Sequence, residues 1–294
     1  MKEQEVKKAI IPVAGLATRF LPLSKAVPKE LWPLVDKPVI QHIAEEVKEA
    51  GIKNIIFVTK PKNKVVLDYF KPSPIMEKIL KERKKDKILD EVKKFEETFR
   101  DITFSYVSQT KPLGDGHSLL QAAKLVKDEP VACLFADDVV DSKTPAILQL
   151  SKMFKTCQKP VVALYRLPKE RLPFYGVVAV EKIANRFYKI KKFIEKPPLG
   201  TAPSDLAIVG KYILTPEVFG YLKKAKPSEK GEIILAEVLE KMLKDGKIIY
   251  GYEFEGEWLE CGNKLGWLKS NLYLAVKHPQ FGQDIKKYLK EIKL

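Results

Sequence analysis

Cysteine and histidine are scarce in this chain, which holds three of each among 294 residues. They are scattered, at Cys133, Cys157, Cys261, His42, His117 and His278. The cysteines show neither the pairing of a disulfide framework nor the close spacing of a zinc site. No Ser-His or Cys-His pair for nucleophilic catalysis can be identified. The sequence therefore predicts reduced, mostly buried cysteines and structural histidines.

Long apolar runs are also missing. No stretch reaches the eighteen or so residues that span a bilayer. The start, MKEQEVKKAI, lacks the apolar core of a signal peptide. Neither the P-loop pattern, GxxxxGK followed by Ser or Thr, nor the GxGxxG of a dinucleotide fold occurs. We therefore expect a cytoplasmic protein with no membrane partner and no standard nucleotide-binding motif.

Positive charge is in excess, since 53 Lys and Arg against 38 Asp and Glu give a formal charge of +15. This excess alone would suit a nucleic-acid partner. However, acids and bases interleave in KERKKDKILDEVKKFEE, where apolar residues recur at helical spacing. The predicted buried stripe of this amphipathic helix is Ile88, Leu89, Val92, Phe95 and Phe99. We expect no specific nucleic-acid partner, although a positive field favours small anionic substrates.

The pattern of the first half predicts an α/β fold. Runs rich in β-branched residues alternate with helical periodicity, in KKAIIPV, residues 39–50, IKNIIFVTK, residues 75–99, ITFSYVSQ, GHSLLQAAKLVK and PVACLFADD. Such alternation is typical of a mostly parallel sheet covered by helices on both faces. Ligands bind such sheets at the carboxyl ends of the strands. The loop after the first strand and the ADD after a later one should therefore meet at one edge.

The second half predicts a more mixed pattern. A hairpin is expected in YGVVAVEKIANRFYKIKKFIEKP, and helices near residues 231–245 and 264–277, with Gly246 capping the first. KIIYGYEFEGEWLE predicts a short β pair that turns near Gly256. We find no linker or repeat, so residues 1–140 and 141–294 are predicted to form one domain, 1–294.

The stretch VAGLATRFLPLSKAVPKELWPLVDKP, residues 13–38, is too long for an ordinary strand-to-helix connection. Gly15 stands among small residues, where backbone N–H groups could close around phosphate. Arg19, Lys25 and Lys29 follow within about ten residues and could offset the charge of a nucleoside triphosphate. The prolines at 22 and 28 would stiffen the loop. The stretch thus predicts a substrate-binding loop.

The motif order resembles that of a known family. GLATR, KAVPKE and PLVDKP are similar to the signature of sugar-phosphate nucleotidyltransferases. Further motifs, QTKPLGDGH, FADD, FYGVVAVE, FIEKP, SDLAIVGKYIL, GEIILAEVLEKML and ECGNKLGWLKSNLYLAVKHPQFG, follow in the family's order almost end to end. The charged helical insertion near residues 75–99 resembles the bacterial UTP-glucose-1-phosphate uridylyltransferase branch. The resemblance implies a Rossmann-like, three-layer, glycosyltransferase A-like fold with a mixed, mostly parallel central sheet.

The resemblance also implies a reaction. Glucose 1-phosphate would attack the α-phosphorus of UTP, forming UDP-glucose and releasing pyrophosphate, with Mg²⁺ as cofactor. The attacking phosphate is already ionised, so positioning and charge neutralisation suffice without a general base. Dimers or tetramers are common in the family, so a homo-oligomer is expected. UTP and glucose 1-phosphate are the implied partners.

The resemblance assigns most nucleotide contacts to the first half. Ala14 and Gly15 would pack on the nucleotide, Arg19 would contact the triphosphate, and Lys29 the phosphates under attack. Glu30 and Gln109 match positions that read the base. The resemblance also implies that the backbone approaches the nucleotide closely at two glycines, Gly114 and Gly116.

The resemblance assigns a metal ligand to the end of the first half and the sugar phosphate to the second half. Asp137 matches the family aspartate that binds Mg²⁺, whereas for Asp138 a capping role is as compatible as a functional one. Glu195 would accept hydrogen bonds from glucose hydroxyls, and Lys196 would contact the sugar phosphate. Two glycines, Gly176 and Gly210, match positions that line the sugar pocket.

Two positions depart from the family pattern. Ala17 replaces a usual glycine, so its Cβ could crowd the loop or require a different backbone. Glu260 replaces a usual aspartate that helps hold the metal, which could alter activity or metal preference. These departures leave two alternatives: another sugar-1-phosphate nucleotidyltransferase, such as a thymidylyltransferase, or a non-catalytic, nucleotide-binding regulatory subunit derived from the family.

Overall fold

The computed structural model describes residues 3–229 and 231–292. The strands are β1 (Lys8–Pro12), β2 (Pro33–Leu34), β3 (Lys37–Pro38), β4 (Asn54–Thr59), β5 (Thr103–Ser108), β6 (Val131–Leu134), β7 (Asp138–Asp141), β8 (Val161–Arg166), β9 (Gly176–Ala184), β10 (Phe187–Glu195), β11 (Leu206–Leu214), β12 (Tyr250–Glu253) and β13 (Glu257–Glu260). The α-helices are α1 (Val39–Glu49), α2 (Val65–Tyr69), α3 (Pro74–Glu82), α4 (Asp86–Thr98), α5 (Asp115–Val126), α6 (Ala146–Cys157), α7 (Pro216–Lys224), α8 (Leu235–Lys244), α9 (Lys264–Lys277) and α10 (Gly282–Glu291).

A nine-stranded mixed sheet organises the molecule, in the order β5-β4-β1-β6-β11-β8-β12-β10-β9. The pairings give all of its strands one direction except β10 and β11, which run the opposite way. The predicted mixed, mostly parallel α/β fold is therefore confirmed. Strands from both predicted halves join in this sheet through the β6–β11 pairing, which supports a single domain.

Strand β1 shows why the sheet is covered on both faces. Ala9 and Ile11 pack into one hydrophobic cluster with residues of α1 and α6. Ile10, which points the other way, packs into a second cluster with residues of α5 and α8. All three residues are fully buried, as expected of a central strand between helical layers. An unbroken apolar run thus builds the middle of a three-layer fold.

Most predicted elements are confirmed, including the hairpin of β9 and β10 and helix α9. The charged insertion, however, is two helices, α3 and α4, because the chain turns at Arg83–Lys85, where Lys84 has φ +54°. Its buried stripe is also incomplete. Leu89 and Phe99 are buried, whereas Ile88 is exposed.

The predicted β pair near Gly256 is wrong. Strand β12 enters the large sheet between β8 and β10, and β13 instead pairs antiparallel with β7. At Gly256, φ is +135°, and a Cβ would lie only 2.6 Å from the Cβ of Ser142. β12 and β13 therefore separate at Gly256, because each pairs with strands that are more distant in sequence. Pairing with β7 brings Glu260 opposite Asp138.

Among the described residues, no helix is both long and apolar enough to cross a membrane.

Candidate active site

A cavity of about 800 Å³ lies at the carboxyl ends of β1 and β6. Its lining contains most of the predicted site residues, namely Ala14, Gly15, Lys29, Glu30, Gln109, Gly114, Asp137, Glu195 and Lys196. Residues near positions 14, 137 and 195 meet here although they are distant in sequence. The expectation that the first loop and the ADD motif share one edge is therefore confirmed.

The remaining predicted residues lie outside this lining: Arg19, Lys25, Gly116, Gly176, Gly210 and Glu260. Arg19 is close by, since its Nη1 donates to the carbonyl of Gly262 at 3.3 Å and its charge acts on Asp137. Lys25 is exposed and is not brought to the cavity. The three loop cations thus do not converge as a set.

The loop after β1 is held by local contacts. Ala17 has φ 50° and ψ 45°, in the left-handed region that favours glycine. Its carbonyl accepts a hydrogen bond from Ser24 Oγ at 3.0 Å. Farther along, the ring of Trp32 packs edge-on against Phe20 and Trp267, at 4.6 and 5.6 Å between centroids. The departure at position 17 is therefore accommodated by an unusual backbone conformation.

Lys29 and Asp137 form the central ion pair of the cavity, with 2.7 Å between Nζ and Oδ2. Their side chains are 19% and 28% exposed. Burial alone would raise the pKa of Asp137, but the charge and hydrogen bond of Lys29 outweigh it and lower that pKa. Burial would likewise lower the pKa of Lys29, but Asp137 raises it. Both groups are therefore charged at neutral pH.

Glu30 follows Lys29 and is almost fully buried. Burial raises the pKa of its carboxyl to about 7, although the charge of Lys29 opposes this shift. Near neutral pH the group is thus present in both protonation states, and its protonated form can donate a hydrogen bond. This behaviour distinguishes Glu30 from Asp137, which stays ionised.

Gln109, another residue of the cavity lining, is held by several hydrogen bonds. Its backbone N–H donates to Thr59 at 2.9 Å. Its side-chain nitrogen donates to the carbonyl of Gly114 at 3.0 Å and lies 3.0 Å from Nδ1 of His117. His117, which the sequence indicated to be structural, thus contacts a cavity residue.

Contacts within the protein explain why glycine occupies positions 114 and 116. A Cβ on Gly114 would lie 2.5 Å from the carbonyl oxygen of Ile233, and one on Gly116 would lie 2.9 Å from the same atom. The N–H of Gly116 donates to that carbonyl at 2.9 Å. Gly114 also has φ +94°. Close approach to the segment around Ile233 therefore explains both glycines, and only Gly114 also lines the cavity.

Two further glycines make room for carboxylates. A Cβ on Gly176 would lie 3.1 Å from Glu195 Oε2, and one on Gly210 would lie 2.3 Å from Asp138 Oδ2. Asp138 accepts from the N–H of Gly210 at 3.0 Å and from Trp258 Nε1 at 2.8 Å. These contacts give Asp138 a structural role that ties β11 and β13 together.

The pair Glu195 and Lys196 lies at the mouth of the cavity. Their side chains are 58% and 52% exposed, and Lys196 Nζ lies 3.1 Å from Glu195 Oε1. Lys196 has φ +46°, and its backbone N–H donates to the carbonyl of Tyr175 at 3.1 Å. The backbone of this pair is therefore anchored, whereas its side chains are open to solvent.

Glu260 is engaged by a network that the sequence did not predict. One carboxylate oxygen accepts from Tyr175 OH at 2.6 Å, and the other accepts from Asn263 Nδ2 at 2.7 Å. Arg171 donates to the same tyrosine hydroxyl at 2.9 Å. Through Tyr175, Glu260 is linked to the backbone of Lys196. Glu260 thus connects the end of β13 with the segment that carries Lys196.

Other polar residues of the cavity were also missed. Asp115 is positioned by hydrogen bonds from the N–H groups of Gly116 and Leu235, at 2.6 and 2.9 Å. Its position between two glycines at the start of α5 was the available signal. Ser118 and Glu232 also line the cavity, and nothing in their local sequence marked them.

The side chains of the cavity are compatible with a Mg²⁺ ion carried by a nucleotide. The charged lining residues are mostly carboxylates: Glu30, Asp115, Asp137, Glu195 and Glu232, against Lys29 and Lys196. In the part of the chain that the structure describes, no group of three or more His, Cys, Asp or Glu side chains is arranged to hold a metal by itself. Mg²⁺ commonly uses one or two carboxylates and takes its other ligands from phosphates and water. The ionised Asp137 fits that requirement.

Comparisons with known proteins agree with this geometry. The family model described as nucleotidyl transferase matches residues 8–275. A UTP–glucose-1-phosphate uridylyltransferase of Staphylococcus haemolyticus is 40% identical over 98% of this chain and 99% of its own. A UTP-bound UGPase from Acinetobacter baumannii superposes with a TM-score of 0.89 at 34% identity, covering 98% of this chain and all of that one.

A UDP-glucose pyrophosphorylase complexed with UDP-glucose gives a TM-score of 0.82 at 36% identity, over 93% of this chain and all of the other. Sequence and structure thus point the same way over almost the whole length. The chain belongs to the nucleotidyl transferase family, among the UTP–glucose-1-phosphate uridylyltransferases.

Proposed function

We propose that this protein transfers a uridylyl group from UTP to glucose 1-phosphate, with UDP-glucose and pyrophosphate as products. The observation that carries the proposal is the Lys29–Asp137 ion pair, which faces the same cavity as Glu195 and Lys196. A nucleotide-binding regulatory subunit would not need this charged set. The names of the relatives, which are 40% identical over nearly the full chain, support uridylyl transfer.

The chemistry requires no general base. A phosphate oxygen of glucose 1-phosphate forms a bond to the α-phosphorus of UTP. The bond from that phosphorus to the oxygen that bridges the α- and β-phosphates breaks, and pyrophosphate leaves. In this proposal Lys29 and Arg19 offset negative charge on the triphosphate, and Lys196 orients the attacking phosphate. Glu195 can accept hydrogen bonds from sugar hydroxyls. Fixed charges and hydrogen bonds thus align the two reactants.

We further propose that Mg²⁺ is the cofactor. Asp137 and Glu260 are the carboxylates that would hold it, and one hydrogen bond on each oxygen leaves Glu260 half of its acceptor capacity. The ion supplies positive charge that neutralises the phosphates during transfer. A cavity lined mainly by carboxylates needs such a counter-ion before it can take a polyanion.

We also propose a cell compartment and an assembly state. UTP is held inside cells, so a UTP-consuming enzyme belongs in the cytoplasm. Apolar side chains on one face of α9, at Leu265, Leu268 and Leu272, are exposed. Such a face favours a homo-oligomer, which light scattering of the purified protein would test.

The function is tested by pyrophosphate release from the purified protein with Mg²⁺ and glucose 1-phosphate. UTP, dTTP, ATP, CTP and GTP are compared, with galactose 1-phosphate as the sugar control. We expect fastest release with UTP and glucose 1-phosphate, and UDP-glucose by mass spectrometry. A preference for dTTP would contradict uridylyl transfer. No pyrophosphate release with any pair of nucleotide and sugar phosphate, despite measurable UTP binding, would favour a regulatory subunit.

A further inference from the structure

Helix α8 lies beside the carboxyl end of β10, the strand that leads into the pair Glu195 and Lys196. One edge of β10 pairs with β9 along its whole length. Among the described residues, β12 pairs with the other edge only over Phe187–Lys189. Beyond that range, the backbone groups on this edge need partners other than a strand.

Glu240 of α8 supplies such a partner. Its Oε2 accepts a hydrogen bond from the backbone N–H of Phe193 at 2.9 Å, and its side chain is 19% exposed. Phe193 lies two residues before Glu195, so both side chains point to the same face of the sheet. The two residues line a groove against α8 together with Glu240. The hydrogen bond thus holds β10 immediately before the Glu195–Lys196 pair.

The other end of α8 is attached to the loop before α5, which carries predicted nucleotide contacts. The N–H of Leu235, the first residue of α8, donates to Asp115 Oδ1 at 2.9 Å. Just before the helix, the N–H of Ile233 donates to the carbonyl of Leu113 at 2.8 Å, and its own carbonyl accepts from Gly116 at 2.9 Å. Helix α8 therefore joins this loop to the strand that leads into the Glu195–Lys196 pair.

The helix offers a fixed support for the Glu240 side chain. Four of its apolar residues are buried in the core, namely Leu235, Val238, Leu239 and Met242. The second carboxylate oxygen of Glu240, Oε1, lies 3.7 Å from Nζ of Lys244, whose side chain is 69% exposed. An exposed ion pair of this kind contributes little. The hydrogen bond to Phe193 is therefore the contact through which Glu240 acts.

We propose that Glu240 is a positioning residue for glucose 1-phosphate. It fixes the end of the β10 backbone from which Glu195 and Lys196 project, so that both meet the sugar phosphate at a set distance from the nucleotide. A misplacement of about 1 Å can cost about a hundredfold in rate. The N–H of Phe193 requires an acceptor rather than a negative charge. The inference rests on the proposed function, in which this pair binds glucose 1-phosphate.

The experiment compares Glu240→Ala, which removes the acceptor, with Glu240→Gln, whose side-chain oxygen can still accept from Phe193. Lys244→Ala is the control, since it removes the exposed ion pair of Glu240 and leaves the acceptor in place. The value of kcat/KM for glucose 1-phosphate is measured at saturating UTP, and the affinity for UTP alone by calorimetry. Hydrogen exchange of the peptide that contains residues 193–196 is followed by mass spectrometry without substrates.

We expect Glu240→Ala to lower kcat/KM for glucose 1-phosphate at least about tenfold, as for one lost hydrogen bond to a charged group. Its affinity for UTP should stay within about twofold, because the attachment of α8 to the loop before α5 is distant from the change. The peptide with residues 193–196 should exchange faster. Glu240→Gln and Lys244→Ala should behave as the wild-type protein in all three measurements.

The proposal is overturned if Glu240→Ala leaves kcat/KM for glucose 1-phosphate unchanged, or if it weakens UTP binding equally, which would indicate general damage to the site. It is also overturned if Glu240→Gln loses as much activity as Glu240→Ala. If the wild-type protein releases no pyrophosphate with any nucleotide, the proposed function fails, and hydrogen exchange still decides the role of Glu240. Faster exchange at residues 193–196 in Glu240→Ala would then support that role, and unchanged exchange would overturn it.

Discussion

The two sides of the cavity differ in how firmly they hold their lysines. On the nucleotide side, residues 14–30 and 109–118, Lys29 is 19% exposed and forms an ion pair with Asp137, which lies between β6 and β7. On the sugar side, residues 175–176 and 195–196, Lys196 is 52% exposed, and within the described part of the chain its ion pair is with its neighbour Glu195. An exposed pair of this kind adds little rigidity.

The difference indicates where the site is organised before substrate binds. Lys29 and Asp137 hold each other although they are distant in sequence, and Thr59 holds the backbone of Gln109, so these positions follow from the fold. The side chains of Glu195 and Lys196 are free to turn, although Tyr175 holds their backbone. We infer that the nucleotide side is preformed and that the sugar side becomes ordered when ligands bind.

The largest effect is expected from Asp137→Ala. Loss of this carboxylate removes the partner of Lys29 and the proposed Mg²⁺ ligand, so kcat/KM should fall about a thousandfold. Pyrophosphate release measures it. Asp141→Ala removes a carboxylate of similar exposure, at the end of β7, that pairs with Lys277 of α9, and should change activity little. Wild-type rates for Asp137→Ala at saturating Mg²⁺ would contradict the assignment.

A smaller and one-sided effect is expected from Lys196→Ala. Because this side chain would contact the sugar phosphate, kcat/KM for glucose 1-phosphate should fall about a hundredfold. The affinity for UTP alone, measured by calorimetry, should stay within about twofold, since Lys29 and Asp137 are untouched. Lys192→Ala, at an exposed position of β10, the strand that ends just before Lys196, is the control. An equal loss of UTP affinity would show that the two sides are not separate.

The hydrogen bonds among Glu260, Tyr175 and Arg171 are probed by Tyr175→Phe. The change removes the hydroxyl that Glu260 accepts from and that Arg171 donates to. KM for glucose 1-phosphate should rise by about tenfold or more, as expected for one hydrogen bond to a charged group. Tyr165→Phe removes a hydroxyl that donates to Glu257 at 3.1 Å beside the same Trp258 ring, and should leave KM unchanged. Equal effects of both changes would assign the hydroxyl a merely structural role.

The smallest effect concerns stability. Ala17→Gly relieves a left-handed backbone conformation, so the free energy of unfolding should rise by about 0.5–1 kcal/mol. Ala123→Gly, within helix α5, should lower it by about 1 kcal/mol. Denaturant unfolding measures both. If Ala17→Gly also lowered the free energy of unfolding, the positive φ at position 17 would not be a source of strain.

The sequence predicted what local pattern and motif order can carry. The strand β1, the loop that follows it and the meeting of that loop with the ADD motif were predicted, because strands end at one edge of the sheet. The pairing partners of β12 and β13 could not be predicted, because strand pairing depends on residues that are distant in sequence. The protein-internal reasons for Gly114 and Gly116 likewise required the position of Ile233. The spacing of the loop cations in the sequence did not reveal that Lys25 lies outside the cavity, because its position depends on how the loop folds.

The inferred preformed nucleotide side is tested most directly by calorimetry on the unmodified protein with Mg²⁺. UTP and glucose 1-phosphate are each titrated alone, and glucose 1-phosphate is then titrated onto protein saturated with a non-reactive UTP analogue. We predict that UTP binds to the free protein and that glucose 1-phosphate binds at least about tenfold more tightly once the analogue is present. Glucose 1-phosphate binding equally well with and without the analogue would contradict the account.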